Sequence, residues 1–164
     1  MVESDPTKAL DQLGTPVAMI SVAAGERRNV MSATRVTCVS SKPPLMAVSI
    51  AASRHTYDLI KEAGEFVVNI ASVGQAELAN KVGKVSGRDG DKFGNYGIET
   101  RAASKVKSPL IAGSATCMEC KLIGSSVNGD RTLLIGEVVA MHVDEEARPL
   151  QRYQEVFYEL GRAL

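Results

Sequence analysis

The stretch NVMSATRVTCVSS, residues 29–41, followed by Lys42-Pro43-Pro44, constrains the fold more than any other part of the chain. Its composition favours extended backbone. Yet an unbroken strand from Asn29 to Ser40 would run roughly 40 Å at ~3.3 Å per residue, about twice the common strand length. The segment is therefore expected to bend partway. Pro43–Pro44 ends it, because neither residue can donate to a sheet ladder. Ser32, Thr34, Thr37, Ser40 and Ser41, with Ser49 beyond the prolines, give this segment a series of small hydroxyls. With backbone N–H groups exposed at the bend, they would form a polar rim against which a flat, donor- and acceptor-rich ring could lie.

The remaining elements follow from hydrophobic period and punctuation. Residues 16–22 (PVAMISV) read as a short buried strand, 45–51 (LMAVSIA) as another and 65–70 (EFVVNI) as a third. The pattern turns helical in SRHTYDLIKEAGEF, with Asp58 in the first turn, Lys61 near the end and Gly64 as the stop. Residues 75–85 form a second helix candidate, and residues 86–109, Gly-rich and charged, a surface loop or short helix. Residues 115–124 and 131–143 read as strands joined around Asn128–Gly129. Pro149 followed by Leu150, Tyr153, Val156, Phe157 and Leu160 predicts an amphipathic C-terminal helix. About six strands with three helices, in no regular βαβ order, point to an α+β barrel rather than a doubly wound sheet.

Composition narrows the function classes. The 164 residues are most simply one domain, spanning 1–164. Lys+Arg and Asp+Glu are 19 each, so a basic nucleic-acid face is not expected. No run approaches the ~20 apolar residues of a membrane span. The polar, acidic start MVESDPTKALDQLG is unlike a secretory signal. Three cysteines do not suggest a disulfide framework. The expectation is a cytoplasmic protein.

Cys117 and Cys120 have C-x-x-C spacing, which on a turn would suit a metal or a redox pair. Here the spacing falls within a strand pattern, where i and i+3 point to opposite faces, and no second C-x-x-C or H-x₃-H exists. His55 and His142 lack metal-ligand spacing. G-x-S-x-G, G-x-G-x-x-G and P-loop signatures are all absent. Ser53, Arg54, His55 and Thr56 stand just before a helix, offering free N–H groups, a positive dipole end, two hydroxyls and a guanidinium. That is suitable chemistry for one phosphate, although an ordinary N-cap beside a solvated Arg uses the same residues. Arg88 or Lys92 of GRDGDKFG could add a second cation. A phosphate at this helix, near a polar rim fit for a flat ring, describes a mononucleotide such as FMN.

The same residues resemble the flavin reductase-like family, whose members are FMN-binding split β-barrels. The family pattern N-x-M-[TS]-A-x-W-x-T-P-V-S-x-x-P-P-L reads here as NVMSATRVTCVSSKPPL, residues 29–45. Collinear similarity continues through residues 53–72, 86–93, 108–120 and 129–139, nearly the whole chain. The resemblance implies a mainly β or α+β split barrel of six or more strands with peripheral helices. It implies that Asn29, Met31, Ser32, Ala33, Thr37, Cys38 and Val39 hold the isoalloxazine edge. Ser53, Arg54, His55 and Thr56 would bind the ribityl phosphate, with Lys92 as a second cation reaching across a homodimer interface. Arg35 replaces a frequent Trp and Cys38 a frequent Pro. Arg35 would favour an anionic partner or an anionic reduced flavin. The chain is also expected to lack the tail that relatives often carry after FYELGRAL.

The implied activity is an NAD(P)H-dependent flavin or ferric reductase, passing electrons through FMN to a flavin, a ferric complex or a protein. No side chain is assigned as an essential acid or base. Two rivals remain open: an FMN electron carrier resembling flavoredoxins with no nicotinamide site of its own, and a binding module that has lost flavin.

Overall fold

The computed structural model describes residues 2–161. A 3-10 turn, Pro6–Gln12, leads to β1 (Thr15–Pro16), β2 (Ala18–Ala24), β3 (Arg27–Ala33), β4 (Val36–Ser41) and β5 (Pro44–Ile50). Then come α1 (His55–Ala63), β6 (Glu65–Ile70), α2 (Ala76–Lys84), α3 (Lys92–Asn95), β7 (Thr100–Arg101) and β8 (Leu110–Ile111). The long strands β9 (Thr116–Asn128) and β10 (Arg131–Val143) precede β11 (Leu150–Tyr153) and β12 (Val156–Glu159).

The main sheet is antiparallel, in the order β3-β2-β6-β9-β10-β5-β4. Its two edges are consecutive in sequence, separated only by Thr34 and Arg35. Flat, the edges of seven strands would lie about 29 Å apart at ~4.8 Å per strand. Ala33 and Val36 can be no more than about 11 Å apart. The sheet must therefore curl until the end of β3 lies near the start of β4; the two edges are not paired, so the barrel is split between them. The bend expected within residues 29–41 is this corner.

β2 is buried on both faces, which explains why every residue in it but Ser21 is apolar. Ala18, Ile20 and Val22 join Phe66, Cys120, Leu134 and the α1 residues Leu59 and Ile60. Val17 and Met19 join Val30, the α2 residues Ala79 and Val82, Phe93 and Leu150 in a second cluster. α1 ends at Gly64, whose left-handed φ of 68° closes the helix as the sequence indicates. Cys117 and Cys120 lie on opposite faces of β9: Cys120 in the first cluster, Cys117 with Val67 and Leu110 in a third. The β9–β10 turn has Gly129 at its first central position with φ 60°.

Glu119, fully buried, accepts from the backbone N–H groups of Ser104, Lys105 and Val106 and from the Ser104 hydroxyl, and pairs with His142 Nε2 at 2.7 Å. Burial opposes its charge. The donors, Ser104 N–H and His142 foremost, override that and hold the carboxyl at about 2.

The expected C-terminal helix is not formed. Residues 150–159 are the hairpin β11–β12, with β1 paired to β11. Leu150 is the anchor: it is buried against the second cluster, and its backbone bonds to both Val17 and Ala71. Gln154 and Glu155 take left-handed φ of 47° and 64° to make the turn. A helix starting at Pro149 would forfeit this pairing with β1. Among the described residues, no helix is long and apolar enough to cross a membrane.

Candidate functional site

β3, as an edge strand, leaves one side of its backbone without a strand partner. α1 and α2 flank it, and two adjoining cavities of about 360 and about 250 Å³ lie along it. Met31, Arg54 and Gly83 line both. Each is near the lower end of the range for small-molecule sites. A Cβ on Gly83 would sit 3.1 Å from the Ser32 Cβ, so glycine is what lets α2 approach β3 this closely.

The smaller cavity is walled by Asn29, Ser53, Arg54, His55, Thr56, Gly87, Arg88 and Lys92. α1 begins after Arg54 with no side-chain cap, so the ordinary Ser or Thr N-cap is not the arrangement here. The His55 and Thr56 N–H groups fall in the first turn, where no intrahelical acceptor exists. Arg88 folds onto the same end of the helix, donating to Ser53 O at 2.8 Å and pairing with Asp58 at 2.6 Å. Arg28 pairs with Asp91 and stacks on Phe93, tying the neighbouring loop to β3. Partial burial and the Arg88 guanidinium push the His55 pKa down, favouring a neutral ring.

Asn29 is the most informative residue in this cavity. It is 2 % exposed and donates to Thr56 Oγ1 at 2.9 Å, but its Oδ1 has no partner among the described residues. An amide oxygen only accepts, so the missing partner is a donor such as a sugar-alcohol hydroxyl rather than an anion. A Cβ at position 87 would lie 2.2 Å from this Oδ1, so Gly87 is required for the loop to close here. A phosphate at the α1 N-terminus, carried on a polyol that reaches Asn29, satisfies these groups together. FMN has that chemistry.

Lys92 differs from its expected role. It does not reach outward across an interface: it is 3 % exposed, and its Nζ donates to the Val30 and Val82 carbonyls at 2.9 and 2.8 Å. Burial, helped by the nearby Arg54 cation, pushes its pKa down to about 8. It lies at the wall of the smaller cavity within its own chain.

The larger cavity takes in Met31, Ser32, Ala33, Thr34 and Arg35 from the corner, with Ser49 and the α2 residues Asn80 and Lys84. Thr37, Cys38 and Val39 lie outside both cavities, exposed on β4, with a register shift at Val39. The structure thus brings together Asn29, Met31, Ser32, Ala33, Ser53–Thr56 and Lys92, but not the 37–39 group. It also adds residues that sequence reasoning missed: Arg131 at the start of β10, and Arg152 and Phe157, which face each other across the C-terminal hairpin.

Comparison with known proteins identifies the family and the fold. The family described as "Flavin reductase like domain" matches residues 10–161. An uncharacterized protein of Archaeoglobus fulgidus is 31% identical over 96% of this chain and 90% of its own. The NADH-dependent FMN reductase AsuE2 of Streptomyces nodosus subsp. asukaensis is 27% identical over 93% of this chain and 82% of its own. The structure of the flavoredoxin of Desulfovibrio vulgaris (Miyazaki F) superposes with a TM-score of 0.90 at 27% identity, covering 100% of this chain and 96% of that one.

Proposed function

Because the chain belongs to the flavin reductase-like family, we propose that it binds FMN along β3 and moves reducing equivalents from NADH or NADPH to a second acceptor. That acceptor would be a flavin, a ferric complex or an electron-transfer protein. The observation that carries this reading is the buried, unpartnered Oδ1 of Asn29, a residue that lines the smaller cavity beside the uncapped start of α1. The relative named as an NADH-dependent FMN reductase supports the same chemistry.

In this reading Ser53, Arg54, His55 and Thr56 hold the phosphate, and Lys92 and Arg88 complete its positive surroundings. Asn29 accepts from the ribityl chain. Met31, Ser32 and Ala33 border the ring, with Thr37, Cys38 and Val39 on the continuing strand contributing only if that edge closes over it. When bound, FMN supplies the carrier that takes a hydride from reduced nicotinamide and passes two electrons onward. The protein's part is to orient and to exclude water: Gly83 lets α2 approach, and Arg88 closes the phosphate end against Asp58. No side chain is required as an acid or base, and His55, held toward neutrality, orients rather than titrates.

The chain is proposed to be a single cytoplasmic domain acting as a homodimer. Exposed Ile123 and Val127 near the β9–β10 turn, and exposed Met141 and Val143 at the other end of the pair, offer apolar surface for a second copy. The likeness to a flavoredoxin favours a second reading, an FMN carrier without its own nicotinamide site. The deciding experiment is the visible spectrum of the FMN-loaded protein, kept anaerobic, before and after NADH and then NADPH. Bleaching by either supports the reductase; a flavin band that ignores both supports the carrier. Failure to retain FMN refutes the cleft assignment.

A further inference from the structure

The larger cavity has a charge pattern that a flavin ring does not need. Arg35, Arg54, Lys84, Arg131 and Arg152 line it, and among the described residues no carboxylate does. Three of these guanidiniums arrive from separate segments: Arg35 from the β3–β4 corner, Arg131 from the start of β10 and Arg152 from β11. None of the three lines the smaller cavity. Of the carboxylates beside them, Asp130 and Glu155 face solvent, and Asp11, half-buried, acts on Arg35 from farther off. Asp130 is 3.9 Å from Arg131 and 87% exposed, while Glu155 is 3.2 Å from Arg152 and 75% exposed. Arg131 and Arg152 are themselves only 28% and 27% exposed. Arg35 has no ion-pair partner among the described residues.

Like charges gathered in a partly enclosed, carboxylate-free pocket repel one another, and an anion placed among them relieves that repulsion. Guanidiniums also match the planar, two-oxygen edge of phosphates and carboxylates. Phe157, opposite Arg152 in the hairpin, adds an apolar surface beside the charges. We propose that Arg35, Arg131 and Arg152 form a binding site for a polyanionic second ligand, one carrying phosphate or several carboxylates, at the end of the cleft away from the FMN phosphate. This deepens the proposed function, since it names the chemical class of the reaction's second substrate and rests on the flavin reading for that role. Two sources share the chemistry: the phosphates of a nicotinamide dinucleotide and the carboxylates of a ferric chelate.

The test is isothermal titration of inorganic pyrophosphate into the full chain, FMN-free and FMN-loaded, at low ionic strength. Binding is expected in both forms, weakened about tenfold by Arg35→Gln and about tenfold by Arg152→Gln, each losing one charge-assisted contact. Arg131→Gln, at the end of a hairpin, gives a third reading should either of these fail to fold. Unaltered pyrophosphate affinity in the variants overturns the proposal. So does one-for-one displacement of FMN by pyrophosphate, because the cluster would then be the flavin's own phosphate site. A wild-type chain that binds pyrophosphate but not FMN sinks the flavin reading and leaves the anion site standing. The source follows from substrates. A KM for NADPH that rises toward that for NADH in Arg35→Gln supports a dinucleotide phosphate. Weakened reduction of ferric citrate with unchanged dinucleotide kinetics supports a carboxylate.

Discussion

Lys92 makes the proposed phosphate site sensitive to pH in two opposite ways. In the FMN-free chain, burial lowers its pKa from 10.5 to about 8. Between those values the unfolded chain binds more protons than the folded one, so stability rises with pH across that window and is flat below it. At pH 9.5 the gain relative to pH 7 is about 2 kcal/mol. A bound phosphate favours the ammonium and raises the pKa again, so the complex holds a proton that the free chain has lost. FMN affinity should therefore fall over the same range, by up to about 30-fold if the ordinary pKa is fully restored. Denaturant melts of the FMN-free protein and fluorescence titrations with FMN, both at pH 7 and 9.5, measure the two trends. Lys92→Met is the control. It leaves the Val30 and Val82 carbonyls unpaired, at a cost of about 1–3 kcal/mol, but it should flatten this component of both profiles. If wild-type FMN affinity is the same at pH 7 and 9.5, the phosphate does not lie near Lys92 and the assignment of the smaller cavity is refuted.

Three further outcomes follow from local geometry. Gly87→Ala puts a Cβ 2.2 Å from Asn29 Oδ1, so FMN retention on gel filtration should fall at least tenfold, with a stability loss of about 1–3 kcal/mol; normal retention would show that the loop does not close on Asn29. Glu119→Gln should cost about 3 kcal/mol at pH 7, since it removes the charge that gathers the Ser104, Lys105 and Val106 N–H groups. With its carboxyl at about 2 instead of 4.5, Glu119 contributes stability that is fully present above pH 4.5 and lost as pH falls through 2; acid melts of the variant should lack that component. Thiol labelling of the native protein should mark Cys38 first. Cys38 is exposed, Cys117 is buried, and burial pushes the Cys120 thiol up to about 12; rapid modification of all three would contradict the packing of β9.

How much of this could be read in advance depends on whether a residue's role is set by its neighbours in sequence or by distant strands. The α1 limits were legible because Asp58, Lys61 and Gly64 act within the helix they bound. The bend in residues 29–41 was signalled by a length about twice the common strand, although β9 and β10, 13 residues each, show that length alone does not impose one. Asn29 and Thr56 could be placed in one site by resemblance, but not their hydrogen bond or the unpartnered oxygen beside it, since β3 and α1 meet only when the sheet curls. The C-terminal hairpin was misread for a physical reason. Its turn uses Gln154 and Glu155 at positive φ, where the usual signal is Gly or Asn. Without that signal, Leu150, Tyr153 and Phe157 fit a helical spacing. The misreading hid more than an element, because a helix gives no reason to place Arg152 opposite Phe157. Paired to β1, the hairpin brings both to the larger cavity and, with Arg35 from the corner, assembles a cation cluster whose members are 117 positions apart at the extremes. The same corner that closes the barrel thus supplies both the edge proposed to hold a cofactor and the first member of the site proposed for its reaction partner.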